Sequence, residues 1–236
     1  MLGESKHTVL DQTAAYLQRA ASRCACFNSI CFQGLEPPPP DGLRRIMVVG
    51  LGNYLIQYSR CSVGMTAVNV LARKLNVDDN WHFDRRCAGM IVLAIHGPYQ
   101  IILLKPQKLM KVNGISVKRA AKIYQVTPKD IYMIHDQLHV PLGKFGFIKG
   151  GGIARGHTGV ISCIYKLNSD IMPRLIIGIG SPPHKTKRGL LHHKLGRFSQ
   201  MQEHTLMPML EQCINYLLEV LDENEMPREN TQALTE

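Results

Sequence analysis

Asn53, Asp136 and Cys61 are the residues whose types and placement offer chemistry in this sequence. Asn53 ends the run Val48-Val49-Gly50-Leu51-Gly52-Asn53, and Asp136 ends Ile131-Tyr132-Met133-Ile134-His135-Asp136. Each stands just past a short, apolar, strand-like segment. In open α/β sheets, ligands bind in the crevice outside the carboxyl ends of the strands. An amide and a carboxylate meeting there could form part of an active site. Plainer roles exist for both: an asparagine tolerates an unusual turn, and an aspartate caps one. Cys61, eight residues after Asn53, falls where the chain should turn into a helix.

The elements that would position these groups alternate along the chain. Strand-like Ile46–Val49 leads to an apolar helical face at Met65, Val68, Val70, Leu71 and Leu75. Gly89–Ile95 and Ile101–Leu104 flank Gly97-Pro98, which predicts a hairpin. A helix is expected over Val117–Tyr124 after Asn113-Gly114, then a turn at Thr127–Asp130 and strands at Ile131–Ile134 and Phe145–Ile148. Gly150-Gly151-Gly152 and Gly156 flank a loop expected to be flexible. Thr158–Leu167 reads as helix, and Leu175–Ile179 as a strand stopped by Gly180-Ser181-Pro182-Pro183. Met201–Leu221 reads as a long amphipathic helix with Leu206, Leu210, Ile214, Leu217 and Leu221 on one face. The alternation implies an α/β fold with a mixed sheet. Residues 1–45 form an amino-terminal arm with a stiff spacer at Pro37–Pro40, residues 46–221 the domain, and residues 222–236 a polar tail expected to fray from Asp222.

A chain of 236 residues has room for one large α/β domain plus an appendage, or for two small domains. A net charge of +10 suggests a polyanionic partner, with a basic surface of no specific use as the plain alternative. Seven cysteines without framework spacing fit a reducing compartment, and Cys24, Cys26 and Cys31 lack a second ligand pair for zinc. No apolar run approaches a membrane span, so no membrane partner is expected. In the arm, Arg19 and Arg23 among Ala and Ser fit a mitochondrial transit peptide, whereas Glu4 and Asp11 do not. The expected compartment is mitochondrial or cytoplasmic, leaning to the former. Gly50-Leu51-Gly52 lacks the third glycine of a dinucleotide fingerprint, and Gly150-Gly151-Gly152 lacks the Gly-Lys-Ser/Thr of a P-loop. His192-His193 cannot share a helix face as paired ligands and read as surface histidines. Neither a cofactor nor a metal is expected.

Six strings in order carry a more specific signal. They are Val-Val-Gly-Leu-Gly-Asn (48–53), Arg-x-Ser-Val-Gly-Met (60–65), Leu-Met-x-x-Asn-Gly (109–114), His-Asp-x-Leu (135–138), Ala-Arg-Gly-His-x-Gly-Val (154–160) and Pro-Arg-Leu-x-x-Gly-Ile-Gly (173–180). From about Ile46 to Leu221 the chain resembles the bacterial-type peptidyl-tRNA hydrolases in their animal form. The resemblance implies a single α/β domain with a mixed, twisted sheet between helices, acting as a monomer without cofactor on peptidyl-tRNA or tRNA. It implies hydrolysis of the ester between a peptide and the tRNA 3′ end, which recycles the tRNA. In the family a histidine held by an aspartate activates water, amides position peptide and water, and basic residues clamp phosphates.

The family's roles carry over unevenly. Asn53 matches the first asparagine and Asp136 the orienting aspartate, but Cys61 stands where the base histidine belongs. A thiol has a reference pKa of about 8.5, and a neighbouring aspartate raises it. Cys61 is therefore expected to be a neutral thiol and a poor base, with no cationic activator to make it a nucleophile. Tyr58, Leu109, Lys111 and Thr158 fall at substrate-side positions. Lys111 and Thr158 each replace an amide. Lys111 could neutralise Asp136 or meet phosphate, and Thr158 can still donate one hydrogen bond. Lys149, Arg155 and Lys185 are the expected tRNA-binding cations, with Ile176 in place of a further basic residue. The reading is a peptidyl-tRNA hydrolase-like protein with impaired chemistry, or alternatively a non-catalytic tRNA- or ribosome-associated binding protein.

Overall fold

The apolar run Arg44–Gly50 forms β1, the middle strand of a seven-stranded sheet. The other strands are β2 (His82–Asp84), β3 (Gly89–His96), β4 (Tyr99–Pro106), β5 (Ile131–Gln137), β6 (Phe145–Ile148) and β7 (Arg174–Gly178), in the spatial order β2-β3-β4-β1-β5-β7-β6. The computed structural model describes residues 35–40, 42–182 and 186–223. All of these except Leu35 belong to one compact unit beginning at Glu36. β4, β1, β5 and β7 run parallel, with antiparallel strands at both edges. Buried on both faces, β5 has no exposed residue, which is why its first four residues, Ile131–Ile134, are a continuous apolar run rather than an alternating one.

Helices cover both faces. α1 (Val63–Lys74) and α5 (Gln200–Glu223) pack Val68, Leu71, Leu210, Ile214 and Leu217 on one side. α2 (Asn113–Tyr124) and α3 (Thr158–Leu167) pack Val117, Ala120, Val160 and Cys163 on the other. A short helix α4 (Lys187–Leu195) carries no buried residue, so it had no apolar stripe for the sequence reading to find. β2 was also missed, being three residues long with two of them exposed.

Three expectations need correction. α2 begins at Asn113, four residues before the expected start, because a 3-10 turn at Met110–Val112 feeds directly into it. β5 continues to Gln137, so Asp136 lies within the strand and pairs in register with Ile177. Asp222 is not frayed: it sits in the last turn of α5 and its Oδ1 meets His96 Nε2 at 3.0 Å. The fully buried Arg174 reaches the glycine loop, donating from Nη2 to Gly151 O and, at 2.7 Å, to Gly152 O.

Candidate active site

Two glycines bring the site together. A Cβ on Gly50 would lie 2.4 Å from Gly64 O, and one on Gly64 would lie 2.3 Å from Ile134 O. Their absence lets the first turn of α1 press against the carboxyl ends of β1 and β5. The 3-10 turn Arg60–Ser62, which precedes α1, therefore seats Cys61 close enough to feel the charge of Asp136.

Asn53 follows β1, and its turn is held from two directions. Its backbone N–H donates to Ser62 Oγ at 3.0 Å, and Ser62 Oγ donates back to Asn53 O at 3.2 Å. Its side-chain oxygen accepts from Leu55 N at 3.3 Å, capping the short turn Tyr54–Ile56. Gly52 N donates to Oδ1 of the fully buried Asn113, whose Nδ2 donates to Lys108 O and Leu109 O at 3.0 and 3.2 Å. Asn113 thus ties the Asn53 turn to the segment bearing Leu109 and Lys111. The sequence reading took it only as part of a turn.

Cys61 is 6% exposed. Ser59 Oγ donates to Ile56 O at 2.7 Å and also lies 3.2 Å from Cys61 Sγ. Burial is the main cause that raises this thiol; the charge of Asp136 raises it further, against the lowering effect of the Ser59 contact. Cys61 is a protonated thiol at neutral pH.

Asp136 is committed elsewhere. Its Oδ1 lies 2.8 Å from Nε2 of His157, and both residues are buried. His157 caps α3: its Nδ1 accepts from Val160 N at 3.2 Å, which places the ring proton on Nε2, facing the carboxylate. Burial alone would raise Asp136. The pull of His157, first electrostatic and then through the hydrogen bond, together with Lys194 and His135, outweighs it and leaves the carboxyl below its usual range. The His135 ring lies tilted by 50° against that of His157, with centroids 4.6 Å apart, and donates from Nδ1 to Asp136 O at 2.9 Å. Burial, then the neighbouring His157, pushes its pKa down to about 3, and its Nε2 is buried without a partner. His157 was present in the motif strings but received no role, because nothing in a linear string shows that a helix cap faces a strand end.

A cavity of about 30 Å³ adjoins Asp136 and is lined by Gln137, His139, Arg155, His157 and Lys194. It has the volume and polar partners that one water requires. The cation acting on Asp136 is Lys194, whereas Lys111 is exposed. Arg155, expected at the tRNA, borders this cavity from a backbone at φ +44°. Thr158 opens α3 and is exposed, as are Leu109, Lys149 and Tyr58, the last with Arg197 over its ring at 5.6 Å. Lys185 lies outside the described residues. The structure therefore groups Asn53, Cys61 and Asp136 and adds His157, His135 and Lys194. At this site the Asp136 carboxyl is held below its usual range, the Cys61 thiol is raised, and His157 Nδ1 is taken up by Val160 N.

Comparison with known proteins agrees with this frame. A family profile described as Peptidyl-tRNA hydrolase matches residues 47–235. A probable peptidyl-tRNA hydrolase of Mus musculus is 47% identical over 176 residues, covering 75% of this chain and 85% of the mouse protein. A peptidyl-tRNA hydrolase of Clostridium botulinum (strain Langeland) is 32% identical, covering 75% of this chain and 90% of its own. Among solved structures, the peptidyl-tRNA hydrolase of Acinetobacter baumannii superposes with a TM-score of 0.68 at 23% identity, covering 85% of this chain and 94% of that one, a likeness of fold. With a profile spanning most of the sequence and relatives this similar, the chain belongs to the peptidyl-tRNA hydrolase family.

Proposed function

We propose that this protein binds peptidyl-tRNA and hydrolyses the ester joining the peptide to the tRNA 3′ end, at a rate well below that of a family member with a histidine at position 61. In the step, a water oxygen attacks the ester carbonyl, the bond from that carbon to the 3′ oxygen breaks, and the water's proton passes to the leaving oxygen. Asn53 orients the reactants. Asp136 and the small cavity beside it hold the water. One observation carries the reduced rate: Asp136 faces His157 Nε2 at 2.8 Å while position 61 holds a protonated thiol. Loss of a positioned base costs about 10²–10⁴-fold. A single-turnover assay on peptidyl-tRNA, run beside a histidine-bearing relative, tests this; activity within about tenfold of that relative rules it out.

A second reading is a tRNA- or ribosome-associated binding protein without turnover, favoured by the same raised thiol. Salt-dependent tRNA affinity with no hydrolysis in that assay would select it. The protein is proposed to act as a monomer, which sedimentation checks. Its amino-terminal arm is proposed to be a mitochondrial address, and mapping the mature amino terminus from cells checks that.

A further inference from the structure

Lys194 stands in the last turn of α4, half-buried, and lines the small cavity beside Asp136. The residues around it are tied down. His193 Nε2 donates to Ile179 O at 3.1 Å, just past the end of β7. Arg60 donates from Nη1 to His193 O at 3.2 Å and from its backbone N–H to Gly196 O at 3.0 Å. Arg60 is itself fixed by Gln202 Oε1, 2.8 Å from its Nη2, and by Phe198, whose ring centroid lies 5.2 Å from the guanidinium carbon. The stretch bearing Lys194 is thus held between β7, the neighbour of the strand that carries Asp136, and the turn that carries Cys61.

The ammonium is not used up by these ties. Among the described residues it has no hydrogen bond or ion pair, although its charge reaches Asp136 and draws that carboxyl down. The groups around it are spent or uncharged. His157 gives its Nε2 proton to Asp136, and Cys61 is a raised thiol. Arg155 borders the same cavity but is exposed. Attack of water on an ester places negative charge on the carbonyl oxygen. With the water beside Asp136, that charge develops close to a buried carboxylate, which repels it. A cation held in place before the reaction offsets the repulsion without reorganising.

We propose that Lys194 is a further catalytic residue, its ammonium donating a hydrogen bond to the carbonyl oxygen as water adds to the ester. The ammonium keeps its protons throughout. The water oxygen bonds to the carbonyl carbon, the bond from that carbon to the 3′ oxygen breaks, and the water's proton goes to the leaving oxygen. This rests on the hydrolysis reading above.

The test is single-turnover hydrolysis of peptidyl-tRNA by the full chain, with the protein concentration varied so that rate and half-saturation are read separately. Lys194→Met is expected to lose about 10²-fold in the saturated rate, the scale of one oxyanion donor, with half-saturation moved by less than about threefold. Lys194→Arg, which keeps a charged donor, is expected to stay within about tenfold of the wild type. Propylammonium, the part removed in Lys194→Ala, is expected to raise the saturated rate of that variant and not of the wild type. An unchanged saturated rate in Lys194→Met, or a change confined to half-saturation, overturns the assignment and leaves the hydrolysis reading intact. So does a loss that neither arginine nor propylammonium repairs, which would mean a structural role. Absence of turnover in the wild type overturns both.

Discussion

Asp136 Oδ1 accepts a hydrogen bond from His157 Nε2 at 2.8 Å, with side-chain exposures of 2% and 5%. The carboxylate that would orient a base at position 61 thus has a partner on the amino-terminal cap of α3. Removing His157 leaves a buried charge without its donor, whereas Asp136→Asn keeps an acceptor in the same place. His157→Ala is expected to cost about 3–5 kcal/mol, and Asp136→Asn distinctly less, measured by urea unfolding. A His157→Ala cost no larger than that of Asp136→Asn would contradict a charged, committed Asp136.

Acid should unfold the protein through His135. Its folded pKa is pushed down to about 3, below the unfolded value of about 6.5, so the unfolded chain binds a proton that the folded one refuses. The stability tied to its neutral state is full above about pH 6.5 and is lost progressively as pH falls toward 3. Asp136, held below its usual range, adds loss in the same direction below about pH 4. Unfolding free energies from pH 7 to pH 4 should fall steeply in the wild type and more gently in His135→Gln; parallel curves would refute the assignment.

Cys61→His should recover less than about tenfold in single-turnover hydrolysis. Asp136 is already engaged by His157, and Lys111 and Thr158 still replace two amides. The triple variant Cys61→His/Lys111→Asn/Thr158→Asn should gain about 10²-fold or more, the scale of a restored base. Full recovery by the single change would show that those two positions do not matter.

The thiol itself can be read directly. Burial and the charge of Asp136 both raise Cys61, so iodoacetamide should label it slowly at pH 7, with a pH midpoint above that of an ordinary exposed cysteine. Asp136→Asn should lower the midpoint only modestly, because burial is the larger cause. Site-resolved mass spectrometry distinguishes Cys61 from the more deeply buried Cys163 and Cys213, both pushed up to about 12. Fast labelling of Cys61 at pH 7 would mean a thiolate and reopen nucleophilic chemistry.

Arg174 holds the glycine loop between Lys149 and Arg155. Its Nη2 donates to Gly151 O and Gly152 O, and its Nη1 donates to Ile153 O at 3.4 Å. Arg174→Met should cost about 1–3 kcal/mol for the carbonyls left unmet and should admit proteolytic cleavage within residues 150–156. Arg174→Lys should rescue only part, because a single ammonium cannot reproduce the planar fork. Unchanged stability and protease resistance in Arg174→Met would mean that the loop is held by other contacts.

Much of the frame is legible in the residues alone. The apolar runs ending at Gly50 and Ile134 predicted the central strands, the spacing in Met65–Leu75 and Leu206–Leu221 predicted the covering helices, and the six motif strings located Asn53, Cys61 and Asp136. Those signals are local, set by side-chain periodicity and by residues a few positions apart. The state of the site is not local. Asp136 meets His157, 21 positions on, because β5 and β7 run parallel and the segment between them returns to start α3 at the same sheet end. Lys194 reaches the carboxylate from α4, a helix with no buried stripe to announce it. Composition and motif established which groups the protein owns and that a thiol stands at the base position. Only the tertiary structure decided which partner Asp136 keeps, which nitrogen of His157 bears the proton and where Lys194 stands. Those outcomes depend on burial and on distances between distant segments, which only the folded chain defines.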